Sequence, residues 1–215
     1  MTSNPIPQAH LEAEWLQLAA ELAVDQTQAR SAYDDVVRRY AQSHRVYHTL
    51  QHVAQVLRDV QRLSPAAPAP ASLRLAAWLH DVVYQPPHSD DEARSAAYAA
   101  QLLQAWRQPH ALVAEVQRLI LLTQRHQTAP RDNDGRILLD ADLAILGAVP
   151  AAYARYAAAI RREYARLPEE EYRAGRIAVL RRFLQRPFIY HTALMRRERE
   201  DAARKNLRTE IEQLS

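Results

Sequence analysis

Apolar residues recur at helical spacing along almost the whole chain, and no stretch alternates in the way that a β-strand would. The first such segment carries Leu11, Trp15, Leu18 and Leu22, three or four positions apart. Glycine is very rare, at 3 of 215 residues, whereas the good helix formers Ala, Leu, Arg and Gln abound. The sequence therefore predicts an all-α protein, a single domain of nine or ten helices over residues 1–215.

Prolines, polar stretches and capping residues indicate where these helices begin and end. Either Asp25 or Thr27 can cap the second helix, and either Ser89 or Asp90 can cap the fifth. Residues 1–8 are expected to form an irregular lead-in, the helices of residues 1–40 to pack on the domain, and residues 64–70 to form a proline-rich loop. In chain order the helices are expected at residues 9–23, a second ending at 41, then 45–63, one ending at 81, one ending at 106, 109–124, 136–146, 150–167, 168–185 and 188–215.

The charge pattern and the absence of cysteine limit which binding partners and which cellular compartment are expected. With no cysteine the chain has neither disulfides nor thiolate metal ligands, which fits a cytoplasmic protein. No apolar run approaches the ~18 residues of a membrane span, so no membrane partner is expected. The net charge of +3 comes from mixed positive and negative side chains, which favours a solvated surface over a nucleic-acid surface. The charged C-terminal helix can cover either the core or a partner subunit, so a homo-oligomer remains open.

A histidine and an aspartate stand side by side, His80 and Asp81, in the otherwise apolar stretch Leu75–Tyr84. On a helix the neighbours of His80 three and four positions away are small or apolar: Ala76, Ala77, Val83 and Tyr84. A buried imidazole beside a buried carboxylate needs compensation, because an unpaired buried charge is costly. Either a hydrogen-bonding partner or a metal ion can provide it.

Two further histidines, His48 and His52, are four positions apart in the expected third helix. On a helix both side chains project to one face. They could then approach one metal ion, or one could bind the metal and the other a substrate. The alternative is an ordinary pair of surface or hydrogen-bonded core histidines. Four more histidines lack convergent partners and are expected to be structural or surface residues: His10, His44, His110 and His191.

Two aspartates and one more histidine lie near apolar segments later in the chain. If residues 136–146 are helical, Asp142 faces the core, and Asp140 lies about 200° away around the helix. The alternative is that Asp140 caps a helix while Asp142 binds a backbone amide. His126 follows an apolar run at a helix end, where it can be a metal ligand, a substrate contact or a C-terminal helix cap.

The order of these motifs resembles that of the HD-domain superfamily of metal-dependent phosphohydrolases. A closer resemblance, from about residue 40 onward, is to a bacterial family of small predicted HD phosphohydrolases. The stretches similar to that family's pattern are Arg45-Val-Tyr-His-Thr-Leu-Gln-His52, His80-Asp-Val-Val-Tyr-Gln-Pro86 with Asp91-Glu92 after it, Leu138-Leu-Asp-Ala-Asp-Leu-Ala-Ile-Leu-Gly147, Gly175-Arg-Ile-Ala-Val-Leu180 and Glu200-Asp-Ala-Ala-Arg-Lys-Asn-Leu207.

The resemblance implies an HD-like helical bundle in which His52, His80, Asp81 and Asp142 hold a divalent metal ion. It further implies that His48 supports the site or contacts the phosphate, and that His126 is an additional ligand if two ions bind. Arg45 and Asp140 are further candidates for a supporting or substrate-contacting role. A mixed nitrogen and oxygen site suits Mn²⁺, Fe²⁺, Co²⁺, Ni²⁺ or Zn²⁺ better than Mg²⁺.

The expected activity is hydrolysis of a nucleotide or another small phosphate ester by a metal-activated water. Asp81 is expected to orient or deprotonate that water. Arg45 is the first candidate to bind the phosphate, with Arg125 and Arg176 as further candidates. Two other classes remain open: a non-catalytic helical module that binds a metal or a ligand, and a basic nucleic-acid-binding protein.

Overall fold

The computed structural model describes residues 8–65, 69–87 and 90–215. Over these residues the protein contains ten α-helices and one short 3₁₀ helix, without a strand, which confirms the all-α prediction. Residues 1–7 of the expected lead-in, 66–68 of the proline-rich loop, and the possible cap Ser89 lie outside the described residues. The helices are α1 Gln8–Glu21, α2 Gln26–Tyr40, α3 Leu50–Leu63, α4 Ala71–Leu79, α5 Asp91–Ala105, α6 His110–Leu122, α7 Asn133–Asp142, the 3₁₀ helix Leu143–Gly147, α8 Pro150–Glu163, α9 Glu169–Leu184 and α10 Ala193–Leu214.

The helix ends reflect a chain that is poor in glycine. Asp25, one of the two predicted caps of α2, accepts hydrogen bonds from two backbone amides of the first turn. At the other end, α1, α5 and α6 are followed by residues with a left-handed backbone, where glycine would be usual. These residues are Ala23, Arg107 and His126, with φ of 54°, 54° and 49°.

The third helix begins at Leu50, five residues later than predicted. His48 therefore precedes the helix, and the premise that His48 and His52 share one helix face is wrong. The physical reason lies far away in sequence, since the Glu163 carboxylate accepts hydrogen bonds from the backbone amides of residues 46–48. These contacts hold the segment in a bend that no helical periodicity of the local sequence reveals.

The buried apolar residues form two separate clusters. The first core is built from α1 to α7 and centres on tryptophans, with the ring of Trp15 5.2 Å from that of Trp78 and 5.7 Å from that of Trp106. The second core is built from the 3₁₀ helix, α8, α9 and α10, and includes Leu146 and Leu207. Helices of both cores contribute residues to the walls of one cavity, with Asp91 of α5 and Asp142 of α7 from the first and Leu146 and Leu180 from the second. A site can therefore form between the two cores.

Helix α7 and the 3₁₀ helix join the two cores. Helix α7 packs against α3, α4 and α6, whereas the 3₁₀ helix packs against α8 and α10. Leu138 and Leu139 are fully buried. Within the described ranges no single helix is long and apolar enough to cross a membrane, and one bent pair meets the length and composition required, Asn133–Gly147 with Pro150–Glu163 at 104°.

Candidate metal centre

Three side chains from two helices converge into a buried group that could hold a metal ion. His52 comes from the first turn of α3, while His80 and Asp81 directly follow α4. Their ligand atoms all lie within 4.8 Å of one another. The two Nε2 atoms are 3.2 Å apart, and Asp81 Oδ2 lies 3.1 Å from His80 Nε2 and 3.6 Å from His52 Nε2.

A fourth donor, Asp142, reaches the same point from the end of α7. Its Oδ1 lies 3.1 Å from His52 Nε2 and 3.6 Å from His80 Nε2. Ligands bound at about 2.1 Å in tetrahedral or octahedral geometry stand roughly 3.0–3.4 Å apart, which is close to these spacings. The spacings of the two histidine nitrogens from each other and from the two carboxylates therefore fit the coordination shell of a small divalent cation.

The orientation of His80 also suits a ligand. Its Nδ1 lies 3.1 Å from the carbonyl oxygen of Ala77, so an Nδ1–H can donate to that oxygen. With a proton placed there, the neutral form of the ring can offer its Nε2 lone pair to a metal ion, on the side of the other donors. Metal-binding histidines are commonly fixed by such a bond from the second ring nitrogen.

The electrostatics of the group favour a bound cation. Burial alone would raise the pKa of Asp81, but the imidazoles of His80 and His48 hold that pKa well below its ordinary value. The pKa of Asp142 is likewise depressed, because hydrogen bonds to histidines outweigh the effect of burial. Both carboxylates are consequently charged near neutral pH, and charged oxygens are the form that binds a metal ion.

The two imidazoles differ in their protonation. Burial lowers the pKa of His52, so this ring is neutral, as a metal ligand must be. Burial acts in the same direction on His80, but the charges of Asp81 and Asp142 outweigh it and raise the pKa of His80 well above its ordinary value. In the absence of a cation, His80 holds a proton between two carboxylates. A metal ion would take the place of that proton.

Arg45, the first candidate for phosphate binding, is instead committed to backbone carbonyls. Its guanidinium donates to the carbonyl oxygens of His48 at 3.0 Å, Asp81 at 2.8 Å and Val82 at 3.1 Å. These carbonyls lie in the bend before α3 and in the turn after α4, outside the regular hydrogen bonding of either helix. Its position is therefore structural, fixing the turn after α4 that carries Asp81.

His48 lies at the edge of the group. Its Nε2 is 3.9 Å from Asp81 Oδ2, and its Nδ1 is 2.7 Å from Glu163 Oε2. Burial would lower the pKa of His48, but the charges of Asp81 and Glu163 raise it. The ring is thus held between two carboxylates and faces the cavity.

Glu163, at the end of α8, was not predicted from the sequence. Oε1 of its buried carboxylate accepts three successive backbone N–H groups, from residues 46–48 at 2.7, 2.7 and 3.0 Å. Oε2 accepts from the Tyr84 hydroxyl at 3.0 Å. Burial would raise the pKa of Glu163, but these bonds and His48 lower it to about 2. A signal was present in the sequence, because Glu163 continues the helical stripe of Tyr156 and Ile160 and is its acidic member.

His126 closes a helix end, one of the three roles that the sequence left open, and its side chain also lies beside the cluster. Its backbone N–H donates to the carbonyl oxygen of Leu122 at 2.9 Å and so closes the C-terminus of α6. Its side chain turns to the cluster, where Nε2 lies 2.8 Å from Asp142 Oδ2. His126 therefore contacts one proposed ligand directly.

Asp140 points away from the group. Its fully buried carboxylate accepts the backbone N–H groups of His191 and Thr192, each at 2.7 Å, just before α10. The expectation that Asp140 supports the metal site is therefore wrong, because its side chain binds the backbone before α10. Of the two aspartates in the segment, Asp140 anchors a helix start and Asp142 joins the histidines.

The other two arginines expected to bind phosphate, Arg125 and Arg176, differ in their distance from the cavity. Arg125 is exposed and is not among the described residues that line the cavity. Arg176 does line the cavity, but its Nε and Nη2 bind the Glu210 carboxylate at 2.7 and 3.1 Å. His88, which follows two prolines in the sequence, lies outside the described part of the chain.

A cavity of about 420 Å³ opens beside the histidines and aspartates. This volume lies within the range of sites for small molecules. One side of the cavity is formed by His48, Asp81, His126 and Asp142. The opposite side comes from the 3₁₀ helix, α8 and α9 and is mostly aromatic and aliphatic.

No family model matches this chain, and neither a curated protein nor a solved structure is significantly similar to it. The class of protein is therefore defined by the fold and the site alone. It is an all-α protein with a buried cluster of histidine and aspartate that could hold a metal ion, open to a cavity.

Proposed function

We propose that the protein is a metal-dependent phosphohydrolase of the HD-domain type that acts on small phosphate esters. The observation that carries the proposal is a pair of imidazole nitrogens, of His52 and His80, that lie 3.2 Å apart and each 3.1–3.6 Å from carboxylate oxygens of Asp81 and Asp142, beside a cavity. The order of these residues along the chain agrees with the resemblance to HD-domain proteins.

The four residues would bind the ion through two imidazoles and two carboxylates. This donor set suits Mn²⁺, Fe²⁺, Co²⁺, Ni²⁺ or Zn²⁺. When bound, such an ion supplies Lewis acidity toward a phosphoryl oxygen and lowers the pKa of water. His126 contacts Asp142 at 2.8 Å and would serve as a further ligand if a second ion binds.

The chain's own residues would then carry the proton transfers. Asp81 would accept the proton of the attacking water as the new P–O bond forms, and the leaving alkoxide would take up a proton from solvent water as the ester P–O bond breaks. His48, whose Nδ1 is fixed by Glu163, presents its Nε2 toward the same space and would contact the phosphoryl group.

A second candidate function is a regulatory module that binds a metal and a ligand without turnover. One observation favours it: the only arginine among the described residues that line the cavity is already bonded to Glu210. Phosphohydrolases commonly use arginine to bind phosphate, and none is free here. The two functions differ in turnover and agree on metal binding.

The test is hydrolysis by protein loaded with Mn²⁺ or Co²⁺, screened on an aryl phosphate, a nucleoside monophosphate, a cyclic nucleotide and pyrophosphate. We expect turnover of at least one ester, reduced by roughly 100-fold or more in His80→Ala, because a ligand is lost. His110→Ala is the matched control, since His110 is exposed at the start of α6. Metal binding without hydrolysis of any of these compounds would reject the phosphohydrolase and leave the regulatory module.

A further inference from the structure

The cavity has two chemically different halves. The half next to the cluster presents nitrogen and carboxylate atoms, and the other half presents rings and aliphatic chains. Of the aromatic residues in that half, Tyr172 of α9 is largely buried, at 5% exposure. Rings held in place in this way offer flat apolar surface at little cost in conformational entropy. The aromatic residues of the cavity are Tyr47, Tyr84, Tyr156, Tyr164, Tyr172 and Phe183.

The charges around the cavity are mostly negative. Besides the proposed ligands, Asp91, Glu92 and Glu171 line it. Arg176 is the single lysine or arginine among the described lining residues, and its charge is offset by Glu210. A ligand with several negative charges would lose its hydration here without gaining a cation in return. Among the described lining residues, the proposed metal cluster with the adjacent His48 is what can compensate a negative group.

Resting on the proposed phosphohydrolase function, we infer that the substrate is a monoester with one phosphate and an uncharged aromatic or apolar organic group. The phosphate lies at the cluster, and the organic group packs on the aromatic half of the cavity. A nucleoside monophosphate belongs to this class, and a nucleoside triphosphate lies outside it. The acidic residues act against competing ligands that carry additional phosphates or carboxylates.

Two phenylalanines give a matched pair for testing the aromatic half. Phe183 lines the cavity, with its ring 5.8 Å from that of His126 and the Arg186 guanidinium 4.6 Å from its centroid. Phe188 is half exposed, lies outside the described cavity lining and has the Arg196 guanidinium 4.1 Å from its centroid. Both are partly exposed rings stacked with an arginine, and only one faces the cavity.

The experiment uses three phosphonates, which carry a C–P bond in place of the P–O bond of an ester. Hydrolysis of phosphate esters does not cleave this bond, so binding is measured without turnover. Methylphosphonate, benzylphosphonate and 4-carboxybenzylphosphonate are titrated into the Mn²⁺-loaded full chain by calorimetry. We expect benzylphosphonate to bind about tenfold more tightly than methylphosphonate, because its ring is buried. The added carboxylate should reverse most of that gain. Phe183→Ala should reduce the preference for the benzyl group by roughly threefold or more, and Phe188→Ala should leave it intact.

The possible failures are distinguishable. Equal binding of benzylphosphonate and methylphosphonate overturns the inference about the organic group and leaves the phosphohydrolase in place. Tighter binding of the carboxylated compound overturns the inference about charge. If none of the three phosphonates binds while the metal is retained, the phosphohydrolase proposal fails and this inference fails with it.

Discussion

The two cores of the protein are built by different means, and the cavity lies between them. The first core centres on aromatic rings, with its tryptophans in edge-to-face contact. In the second core buried polar groups are bonded to one another. Glu210 accepts from Arg176 and from the hydroxyl of Tyr153, and Asn206 donates to two backbone carbonyls beside the 3₁₀ helix.

This difference matches what each region contributes to the candidate site. The cluster of His52, His80 and Asp81 is attached to helices of the first core, where close packing limits movement of the donor atoms. The wall that would contact the organic part of a ligand comes from helices of the second core. Glu163 of α8 connects the two, through its bonds to residues 46–48.

The largest effect is expected at the buried ion pair of the second core. Arg176→Met leaves the Glu210 carboxylate buried without its cation, which should lower the free energy of unfolding by about 3–5 kcal/mol. Adding Glu210→Met should restore at least half of the loss. Arg30→Met, which breaks the exposed pair of Arg30 with Glu12, should cost less than about 1 kcal/mol. Urea unfolding measures all three variants, and equal losses for the two single variants would contradict the comparison.

A smaller loss of stability is expected when Glu163, which connects the two cores, is changed. Glu163→Gln removes the charge that binds His48, while an amide oxygen can still accept backbone hydrogens. We expect the free energy of unfolding to fall by about 1–3 kcal/mol, as for hydrogen bonds to charged groups. The control Glu170→Gln replaces an exposed glutamate in α9 and should change stability by less than about 0.5 kcal/mol. A neutral Glu163→Gln variant would show that the two cores are held together without this residue.

We expect the contribution of Glu163 to the free energy of unfolding to depend on pH. The pKa of Glu163 is about 2 in the folded protein, below its ordinary value of 4.5. Its contribution is therefore complete above pH 4.5 and is lost as the pH falls toward 2. Unfolding curves of the wild type and Glu163→Gln should differ most near pH 6 and converge on acidification. A difference that widens below pH 4.5 would contradict the role given to the carboxylate.

The smallest expected effect is a gain in stability at Gly175, in the part of the cavity wall that belongs to the second core. A Cβ added at Gly175 meets nothing within 4 Å, so Gly175→Ala should stabilise α9 by about 0.5–1 kcal/mol. Gly147 is the opposite case, since its Cβ would lie 2.5 Å from Arg199 Cβ and 2.7 Å from the Arg199 carbonyl oxygen. Gly147→Ala should therefore destabilise the protein. Thermal unfolding shifts of opposite sign are expected, and shifts of the same sign would reject the tight contact between α10 and the 3₁₀ helix.

Local signals predicted the helices well. Spacing of apolar residues, the prolines near α8 and α9, and the cap Asp25 act over a few residues and can be recognised in one stretch of chain. The roles of His48 and Arg45 depended on partners that no local pattern names. Glu163 lies 115 residues from His48, and the carbonyl of Asp81 lies 36 residues from Arg45.

The grouping of His52, His80 and Asp81 was predicted because the resemblance joined motifs that periodicity alone left separate. Asp142 had in addition a helix-face argument, which placed it opposite Asp140. The structure has these two carboxylates on different partners, one at the histidines and one before α10. Contacts of this kind require the packing of whole helices, which sequence spacing does not contain.

The central claim is that the cluster beside the first core binds a divalent metal ion, and metal content tests it most directly. Wild type, His52→Ala and His110→Ala are loaded with Mn²⁺ or Co²⁺, dialysed against metal-free buffer and measured by mass spectrometry of the metal. Each should remain folded by circular dichroism. We expect at least one ion per chain in wild type and in His110→Ala, and the loss of that ion in His52→Ala. Equal metal content in wild type and His52→Ala, or no metal in any of them, would contradict it.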